Sequence, residues 1–184
     1  MKKDLIISLD DLWEGNDYWE EFEKLHQEFP ELKITFFVIV GKCSDEFLKK
    51  VSRSWTELVF HCWSHHRKDW LGWSKEEAKE KLVEYQKYGF AKGFKAPHWR
   101  VTNEIIEACN ELGFWVCSAT TVKIDAKKCW YTYPVTGLTQ YDKYDEFYGH
   151  LQDEELVKNL ESLKKYCKEN KPNYKFISEV IHEQ

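Results

Sequence analysis

Apolar runs alternate with amphipathic stretches along most of the chain. Leu5 to Leu9, Ile34 to Val40 and Leu58 to Phe60 are nearly continuous apolar segments, a pattern typical of strands buried on both faces of a parallel sheet. Between the first two segments, apolar residues from Asp17 to Phe29 recur at helical spacing, and Pro30 ends the predicted helix. The first third of the chain therefore predicts repeated strand–helix units.

The same alternation continues to the end of the chain. Helix boundaries are predicted by capping residues and glycine stops, namely Ser44, Ser74 with Glu77, Gly89, Thr102 and Gly113. Further strands are predicted at Gly93–Pro97, Phe114–Ser118, Cys129–Tyr133, Phe147–His150 and, as a strand or extended tail, Tyr174–Ser178. Thr136 to Asp145 is rich in turn formers and is interpreted as an irregular loop. A last helix, capped by Asp153, carries Leu156, Leu160, Leu163 and Tyr166.

Alternating strands and helices predict an α/β fold with right-handed crossovers. Polar residues that could carry chemistry follow the first, third, fourth and seventh predicted strands. A β/α barrel brings such strand ends together on one face, whereas an open doubly wound sheet would gather them only with difficulty. We therefore predict a single domain over residues 1–184, a distorted or incomplete (β/α) barrel of about seven parallel strands.

The charge, the apolar run near the N-terminus and the cysteines limit the expected binding partners and cellular compartments. The net charge is −5 and no block of Lys and Arg stands out, so nucleic acid is not an expected partner. The apolar run that follows the first four residues is too short and too soon acidic for a signal peptide or a membrane span. The six cysteines have no CxxC spacing and are predicted to be free thiols. We expect a cytoplasmic protein without membrane attachment; the oligomeric state is not predicted.

Two histidines four residues apart, His61 and His65, follow the third predicted strand. Imidazole is the commonest metal ligand, and residues at this spacing can lie on one side of a turn. The first predicted strand ends in the paired carboxylates Asp10 and Asp11, and one carboxylate with two histidines makes a three-ligand set with open positions. The alternatives are an exposed turn at the aspartates, two histidines that are solvated or only bonded in the core, and His66 as the second histidine ligand.

Four segments resemble, in order, the motifs of the polysaccharide deacetylases with a NodB-homology domain, carbohydrate esterase family 4. Ser8–Asp11 resembles the family's strand ending in Thr-Phe-Asp-Asp, and His61–His65 resembles its His-Ser/Thr-x-x-His motif. Phe94–Trp99 and Phe147–His150 are similar, less closely, to its Arg-x-Pro-Tyr and Leu-x-His motifs. The resemblance covers most of the chain.

The resemblance implies one divalent ion, zinc first and cobalt, nickel, manganese or iron as alternatives, bound by Asp11, His61 and His65. The residues that it implies for catalysis are Asp10 as general base, His150 as general acid, His98 through its backbone N–H as oxyanion donor, and Lys95 at the position of the family's arginine. Such an ion would polarise an amide or ester carbonyl and acidify a water molecule. His150 can also be interpreted as a structural histidine.

Two departures from the family pattern affect this interpretation. The family's arginine orients the base through two parallel hydrogen bonds, whereas Lys95 is a point charge on a flexible stem. Arg100 is the candidate to compensate. The family's fourth motif, an aspartate and a tryptophan that tune the catalytic histidine, is matched only loosely by Trp115, Asp125 and Trp130.

The predicted function is that of a metal-dependent hydrolase removing an acetyl group from an N-acetylated sugar or a related amide, a carbon–nitrogen bond outside peptides. The expected partner is thus a carbohydrate or another small acetylated substrate. One alternative is a hydrolase of the same fold that acts on a non-sugar amide, because a metal site specifies the bond and not the rest of the substrate. The other is a catalytically weak, metal-retaining module that grips carbohydrate with tryptophans, for which the candidates are Trp13, Trp63, Trp70, Trp73 and Trp99.

Overall fold

The computed structural model describes residues 2–15, 18–66, 68–151 and 155–181. These residues form one nine-stranded sheet. The strands are β1 (Asp4–Leu12), β2 (Ile34–Ile39), β3 (Thr56–Cys62), β4 (Gly93–Lys95), β5 (Trp115–Ala119), β6 (Cys129–Thr132), β7 (Gly137–Gln140), β8 (Tyr144–His150) and β9 (Asn173–Lys175).

The sheet curls into a half-barrel, as predicted. Its strand order is β6-β5-β4-β3-β2-β1-β8-β7, and β9 pairs with the first residues of β1. Within the described residues every pairing is parallel except that of β7 with β8. The prediction of a distorted, incomplete (β/α) barrel is thus confirmed, with one antiparallel edge strand added.

Two local predictions are wrong. Gly137–Gln140 is not part of an irregular loop but forms β7, and Tyr144 and Asp145 already belong to β8. An edge strand lacks the continuous apolar run of a strand buried on both faces, so its half-exposed polar residues resembled a loop. The predicted last strand ends at Lys175, and Ile177–Val180 is helical instead.

The helices cover the outside of the sheet, except the last one, whose Ile177 packs against the inner face. They are α1 (Trp19–Glu28), α2 (Asp45–Val51), α3 (Lys68–Leu71), α4 (Lys75–Glu84), α5 (Asn103–Leu112), α6 (Leu156–Asn170) and α7 (Ile177–Val180). The predicted caps are confirmed: Ser44 and Thr102 accept hydrogen bonds from the first turns of α2 and α5, and Ser74 forms a capping box with Glu77. The predicted helix start Asp17 and the predicted cap Asp153 lie outside the described residues.

The two faces of the sheet have different cores. Leu5, Ile7 and Leu9 of β1 belong to a large outer cluster that includes side chains of the covering helices. The alternate residue Ile6 faces the inside of the half-barrel, where a smaller apolar cluster also contains Phe37. This inner cluster fills only part of the half-barrel, and residues nearer the carboxyl ends of the strands, such as Ser8 and Asp10, are buried but polar.

A buried carboxyl bridges the open side of the half-barrel. Glu146 of β8 accepts hydrogen bonds from Trp130 Nε1 at 3.1 Å and from the Thr132 hydroxyl, both on the edge strand β6. The Trp130 and Tyr144 rings also touch across this gap, with centroids 5.0 Å apart. Side chains therefore join β6 to β8 where no backbone pairing between them is formed.

All six cysteines are free, as predicted. No helix among the described residues is both long and apolar enough to span a membrane.

Candidate metal centre

A cavity of about 470 Å³ opens where the parallel strands end. All seven residues proposed from the sequence line it, together with three more; the lining residues are Asp10, Asp11, His61, His65, Lys95, Ala96, His98, Trp99, Tyr148 and His150. They come from β1, β3, β4 and β8 and from the loops that follow the third and fourth strands. The half-barrel thus gathers into one cavity residues that are up to 140 positions apart.

A bulge in β1 lets both aspartates reach the cavity. Successive side chains of a regular strand point to opposite faces. The pairing with β2 shifts between Leu9 and Leu12, and Asp11 has a left-handed backbone, with φ at 67°. Asp10 and Asp11 are only 3% and 7% exposed, so the interpretation of this pair as an exposed turn is wrong.

The two histidines reach the same side from β3 and the loop after it. The pairing of β3 with β2 also shifts, between Phe60 and Cys62, and His61 lies at that irregularity. Asp69 of α3 shapes the loop: its Oδ2 atom accepts hydrogen bonds from Ser64 N at 2.7 Å, Ser64 Oγ at 2.5 Å and His66 N at 3.2 Å. His65 enters the cavity, whereas His66 is exposed and does not line it.

The three proposed ligands converge on one point. Asp11, His61 and His65 each offer one ligand atom, and these atoms all lie within 4.8 Å of one another. The Nε2 atoms of His61 and His65 lie 3.5 and 3.2 Å from Asp11 Oδ1. Among the groups of His, Cys, Asp and Glu in the described part of the chain, this is the one with the spacing of a metal site.

Hydrogen bonding favours a cation at this point. His61 Nδ1 lies 2.7 Å from the carbonyl oxygen of Lys95, which can only accept, so Nδ1 carries the proton and neutral His61 presents a lone pair at Nε2. Asp11 Oδ1 is buried and receives no hydrogen bond from the residues that the structure describes. Lone pairs that face one another in a buried site are stabilised by a positive ion between them.

The charge states suit ligation. Burial by itself would raise the pKa of the Asp11 carboxyl, but the imidazoles of His61 and His65 outweigh burial and lower the pKa from 3.8 to about 2. Burial lowers the pKa of His65 below 6.5, although Asp11 opposes this change. Near neutral pH, Asp11 is therefore an anion and His65 a neutral imidazole, the forms that bind metal ions.

Asp10 is held at both oxygens. The Lys95 ammonium donates to Asp10 Oδ1 at 2.6 Å, and the Tyr148 hydroxyl donates to Oδ2 at 2.9 Å. Lys95 is 1% exposed, and its Nζ atom lies 4.0 to 4.7 Å from the ring centroids of Trp99, Tyr148 and Phe37. Lys95 thus orients Asp10 directly, whereas the side chain of Arg100 is exposed and does not line the cavity.

His150 lies on the other side of Asp10. Its Nε2 atom is 3.1 Å from the Tyr148 hydroxyl and 3.6 Å from Asp10 Oδ2. Of the residues considered for the family's fourth motif, Trp115 packs in the inner cluster and Trp130 donates to Glu146, and neither lines the cavity. Tyr148 was missed from sequence, although it lies two residues before His150 and thus on the same face of β8.

Backbone strain is concentrated at this cavity. Asp11, His65, His98 and Trp99 have φ values between 53° and 67°, a left-handed conformation that disfavours side chains other than glycine. Each such residue costs about 1–3 kcal/mol, and such strain is common at functional sites. The His98 ring lies 5.3 Å from that of His65, so the predicted oxyanion segment does adjoin the proposed ligands.

The five tryptophans considered for carbohydrate binding do not form one common surface. Trp70 is fully buried and donates its Nε1 hydrogen to the Arg100 carbonyl oxygen, so it cannot contact a ligand. Trp13 and Trp73 pack against the outer core. Trp63 is 42% exposed on the loop between His61 and His65, and Trp99 lines the cavity.

No protein-family model and no curated protein sequence matches the chain. Solved structures do match, with low sequence identity. A family 4 acetyl xylan esterase from Clostridium thermocellum in complex with a cobalt ion has a TM-score of 0.66 at 13% identity, over 98% of this chain and 91% of the esterase. A peptidoglycan N-acetylglucosamine deacetylase has a TM-score of 0.66 at 14% identity, over 98% and 89% of the two chains. A family 4 pseudoenzyme from Bacillus anthracis has a TM-score of 0.67 at 13% identity, over 98% of this chain and 66% of the pseudoenzyme. The fold of this chain is therefore that of the family 4 carbohydrate esterases, which confirms at the level of the fold the resemblance seen in the motifs.

Proposed function

We propose that this protein is a metal-dependent hydrolase that removes an acetyl group from an N-acetylated sugar or a related small amide. The observation that carries the proposal is the single cavity in which the Asp11–His61–His65 cluster adjoins the Asp10–Lys95 ion pair and His150. We propose zinc as the ion, because zinc commonly binds to carboxylate and imidazole ligands. Cobalt is the alternative, because the acetyl xylan esterase of the same fold is in complex with a cobalt ion.

Each residue of the cavity has its own role in the proposed hydrolysis. An ion held by Asp11, His61 and His65 would polarise the scissile carbonyl and lower the pKa of a water molecule. Asp10, held by Lys95 at 2.6 Å, accepts a proton from the attacking water. The backbone N–H of His98 stabilises the negative charge that develops on the carbonyl oxygen. His150 then donates a proton to the leaving amine, so that acetate and a free amine are released.

The cavity favours a small group at the reacting end of the substrate. Its volume of about 470 Å³ is ample for an acetyl group and the sugar ring that carries it. Trp99, which lines the cavity, offers an apolar face beside the proposed metal ligands. We place the reaction in the cytoplasm, because six unpaired thiols suit a reducing compartment.

The test combines metal analysis with acetate release from a panel of acetylated sugars. We expect close to one divalent ion per chain and release of acetate that chelation abolishes. His61→Ala removes a ligand, so the variant should lose both the ion and the hydrolysis. His66→Ala is the matched control, because His66 is the adjacent histidine on the same loop but lies outside the cavity. If His61→Ala stays fully loaded, or if metal-free protein hydrolyses the panel at the wild-type rate, the proposal is wrong.

A second candidate is a metal-retaining module that binds carbohydrate with little or no hydrolysis. One specific observation favours it: the chain also has the fold of a family 4 pseudoenzyme. Sugar binding detected by calorimetry on metal-loaded protein, without acetate release from any member of the panel, would support this candidate. Release of acetate from non-sugar amides alone would instead indicate an amide hydrolase of the same fold.

A further inference from the structure

The Tyr148 hydroxyl lies between the two groups to which we assign the proton transfers. It is 2.9 Å from Asp10 Oδ2 and 3.1 Å from His150 Nε2, and the ring is 3% exposed. A tyrosine hydroxyl has one hydrogen to donate and can also accept. Because an ionised carboxylate can only accept, the hydroxyl donates to Asp10 and accepts from His150 Nε2–H.

We infer that Tyr148 is a positioning residue that fixes both Asp10 and His150, a role that rests on the proposed hydrolytic function. For Asp10, the hydroxyl supplies the second point of attachment. A guanidinium would hold both carboxylate oxygens with one planar group, whereas the Lys95 ammonium reaches only Oδ1. Lys95 and Tyr148 together thus provide the two-point orientation that the lysine lacks alone.

For His150, the same hydroxyl selects the tautomer. A neutral imidazole carries its proton on one of two nitrogens, and the hydrogen bond that each nitrogen makes decides which one. An acceptor 3.1 Å from Nε2 keeps the proton on Nε2, the nitrogen that faces Asp10 and the cavity. When His150 acts as the general acid it is an imidazolium with a proton on each nitrogen, and the same contact keeps Nε2–H on the side where a leaving amine would receive that proton.

The burial of Tyr148 makes this geometry rigid. Its ring lies beneath the Lys95 ammonium at 4.3 Å and against the Trp99 ring at 5.8 Å between centroids. Burial, followed by the Asp10 carboxylate, also raises the pKa of the Tyr148 hydroxyl, so it remains protonated and able to donate. A small polar cluster of Lys95, Asp10, Tyr148 and His150 is the result.

The first experiment measures kinetics of Tyr148→Phe on the acetylated sugar that the wild type hydrolyses best. The ring and its packing remain, and only the bridging hydroxyl is lost. We expect kcat to fall roughly 10- to 100-fold, the effect of losing one hydrogen bond to a charged group, while KM changes by less than about twofold and metal content is unchanged.

Tyr166→Phe is the matched control. Its hydroxyl also donates to a buried aspartate of β8, Asp145, but that pair lies outside the cavity. We expect this variant to retain the wild-type kcat, even if it loses stability. A folded, metal-loaded Tyr148→Phe whose kcat is within twofold of the wild type, or a Tyr166→Phe that falls as far, would overturn the inference.

The second experiment needs neither metal nor substrate. Nitrogen-15 NMR of metal-free protein reports which nitrogen of neutral His150 is protonated. We expect the Nε2–H tautomer in the wild type and in Tyr166→Phe, and a loss of that preference in Tyr148→Phe. If the wild type shows Nδ1–H, or if Tyr148→Phe leaves the tautomer unchanged, Tyr148 does not position His150. This measurement does not depend on hydrolysis. A wild type that releases no acetate would contradict the proposed function, whereas the NMR result alone would decide whether Tyr148 positions His150.

Discussion

Asp10 and Asp11 are adjacent and chemically identical, but their surroundings differ. Asp10 is paired with a buried ammonium and a hydroxyl, whereas Asp11 Oδ1 faces two imidazole nitrogens. The difference comes from the bulge at Asp11, whose left-handed backbone turns its side chain toward the histidines. We therefore expect the two carboxylates to have separate roles.

Replacing each aspartate with asparagine should separate these roles. Asp11→Asn trades a charged donor for a neutral one, so the ion should bind more weakly and activity should partly return at high metal concentration. Asp10→Asn leaves the ligands intact, so metal content should stay normal while turnover falls by the ~10²–10⁴ that a positioned general base contributes. Metal stoichiometry measured beside turnover checks both, and each variant is the control for the other. Loss of metal from Asp10→Asn alone would reverse the assignments.

Lys95→Arg is expected to impair the protein rather than improve it. Three rings surround the ammonium at 4.0 to 4.7 Å and the side chain is 1% exposed, so the larger guanidinium must displace neighbours at a cost of about 1–3 kcal/mol. Thermal unfolding and kcat are the measurements. Lys33→Arg is the control, because Lys33 also pairs with a carboxylate, Glu179, beside an aromatic ring, but at the surface. If both variants keep the wild-type stability and kcat, the three rings around Lys95 can rearrange to accept a guanidinium.

At the scale of elements, short segments at the ends of strands determine the site. The segment Ser64–His66 lies between β3 and α3 and is held by one carboxylate, that of Asp69. This anchoring matters because His65 has a left-handed backbone, which the loop must hold against its intrinsic preference. Asp69 is therefore expected to act on the ion through His65.

Asp69→Ala should weaken metal binding by about 10- to 100-fold, the usual effect of losing a group that orients a ligand. The dissociation constant of the ion, measured by competition with a chelator, is the readout. Ser44→Ala removes a comparable hydrogen bond at the start of α2 and should cost about 1 kcal/mol of stability without changing metal affinity. An unchanged dissociation constant in Asp69→Ala would mean that the loop holds its shape without this carboxylate.

At the scale of the whole molecule, the half-barrel encloses polar groups as well as apolar ones. Glu146 joins β8 to β6 across the open side, and its Oε2 atom is buried without a hydrogen bond from the described residues. Burial raises the pKa of this carboxyl above 4.5, although Thr132 and Trp130 partly oppose the change. The folded protein therefore holds the Glu146 proton more tightly than the unfolded chain does.

The raised pKa of Glu146 determines the direction in which the free energy of unfolding changes with pH. Its favourable contribution is complete below the ordinary pKa of 4.5 and is lost as the pH rises through the pKa of the folded state. Glu146→Gln should remove this loss, so the variant should gain stability relative to the wild type as the pH rises. Unfolding free energies of both proteins between about pH 4 and 8 check this expectation, with a pH-independent difference as the contrary outcome. Glu77→Gln is a control of opposite sign, since hydrogen bonds from Ser74 lower the pKa of exposed Glu77.

Much of the fold and of the candidate site was predictable because the signals are local. Continuous apolar runs identified the buried strands β1 to β3, and Ser44, Ser74 and Thr102 marked helix starts through contacts within four residues. The edge strand β7 was missed because pairing with β8, rather than its own composition, makes it a strand. The seven site residues were proposed from the paired aspartates, the spacing of His61 and His65 and the resemblance to the family's motifs, and their roles stay predictions.

The sequence by itself determined the alternation of strands and helices, the order of the motifs and the side chains available for chemistry, because these depend on neighbouring residues. Only the tertiary structure decided which groups meet. Tyr148 lies 138 positions from Asp10, Lys95 lies 85 positions from it, and a cage of three rings around an ammonium has no signature along the chain. Curling of the sheet brings the ends of β1, β4 and β8 to one cavity, and two bulges turn Asp11 and His61 into it. These contacts depend on strand register and sheet curvature, which the whole packed core sets together.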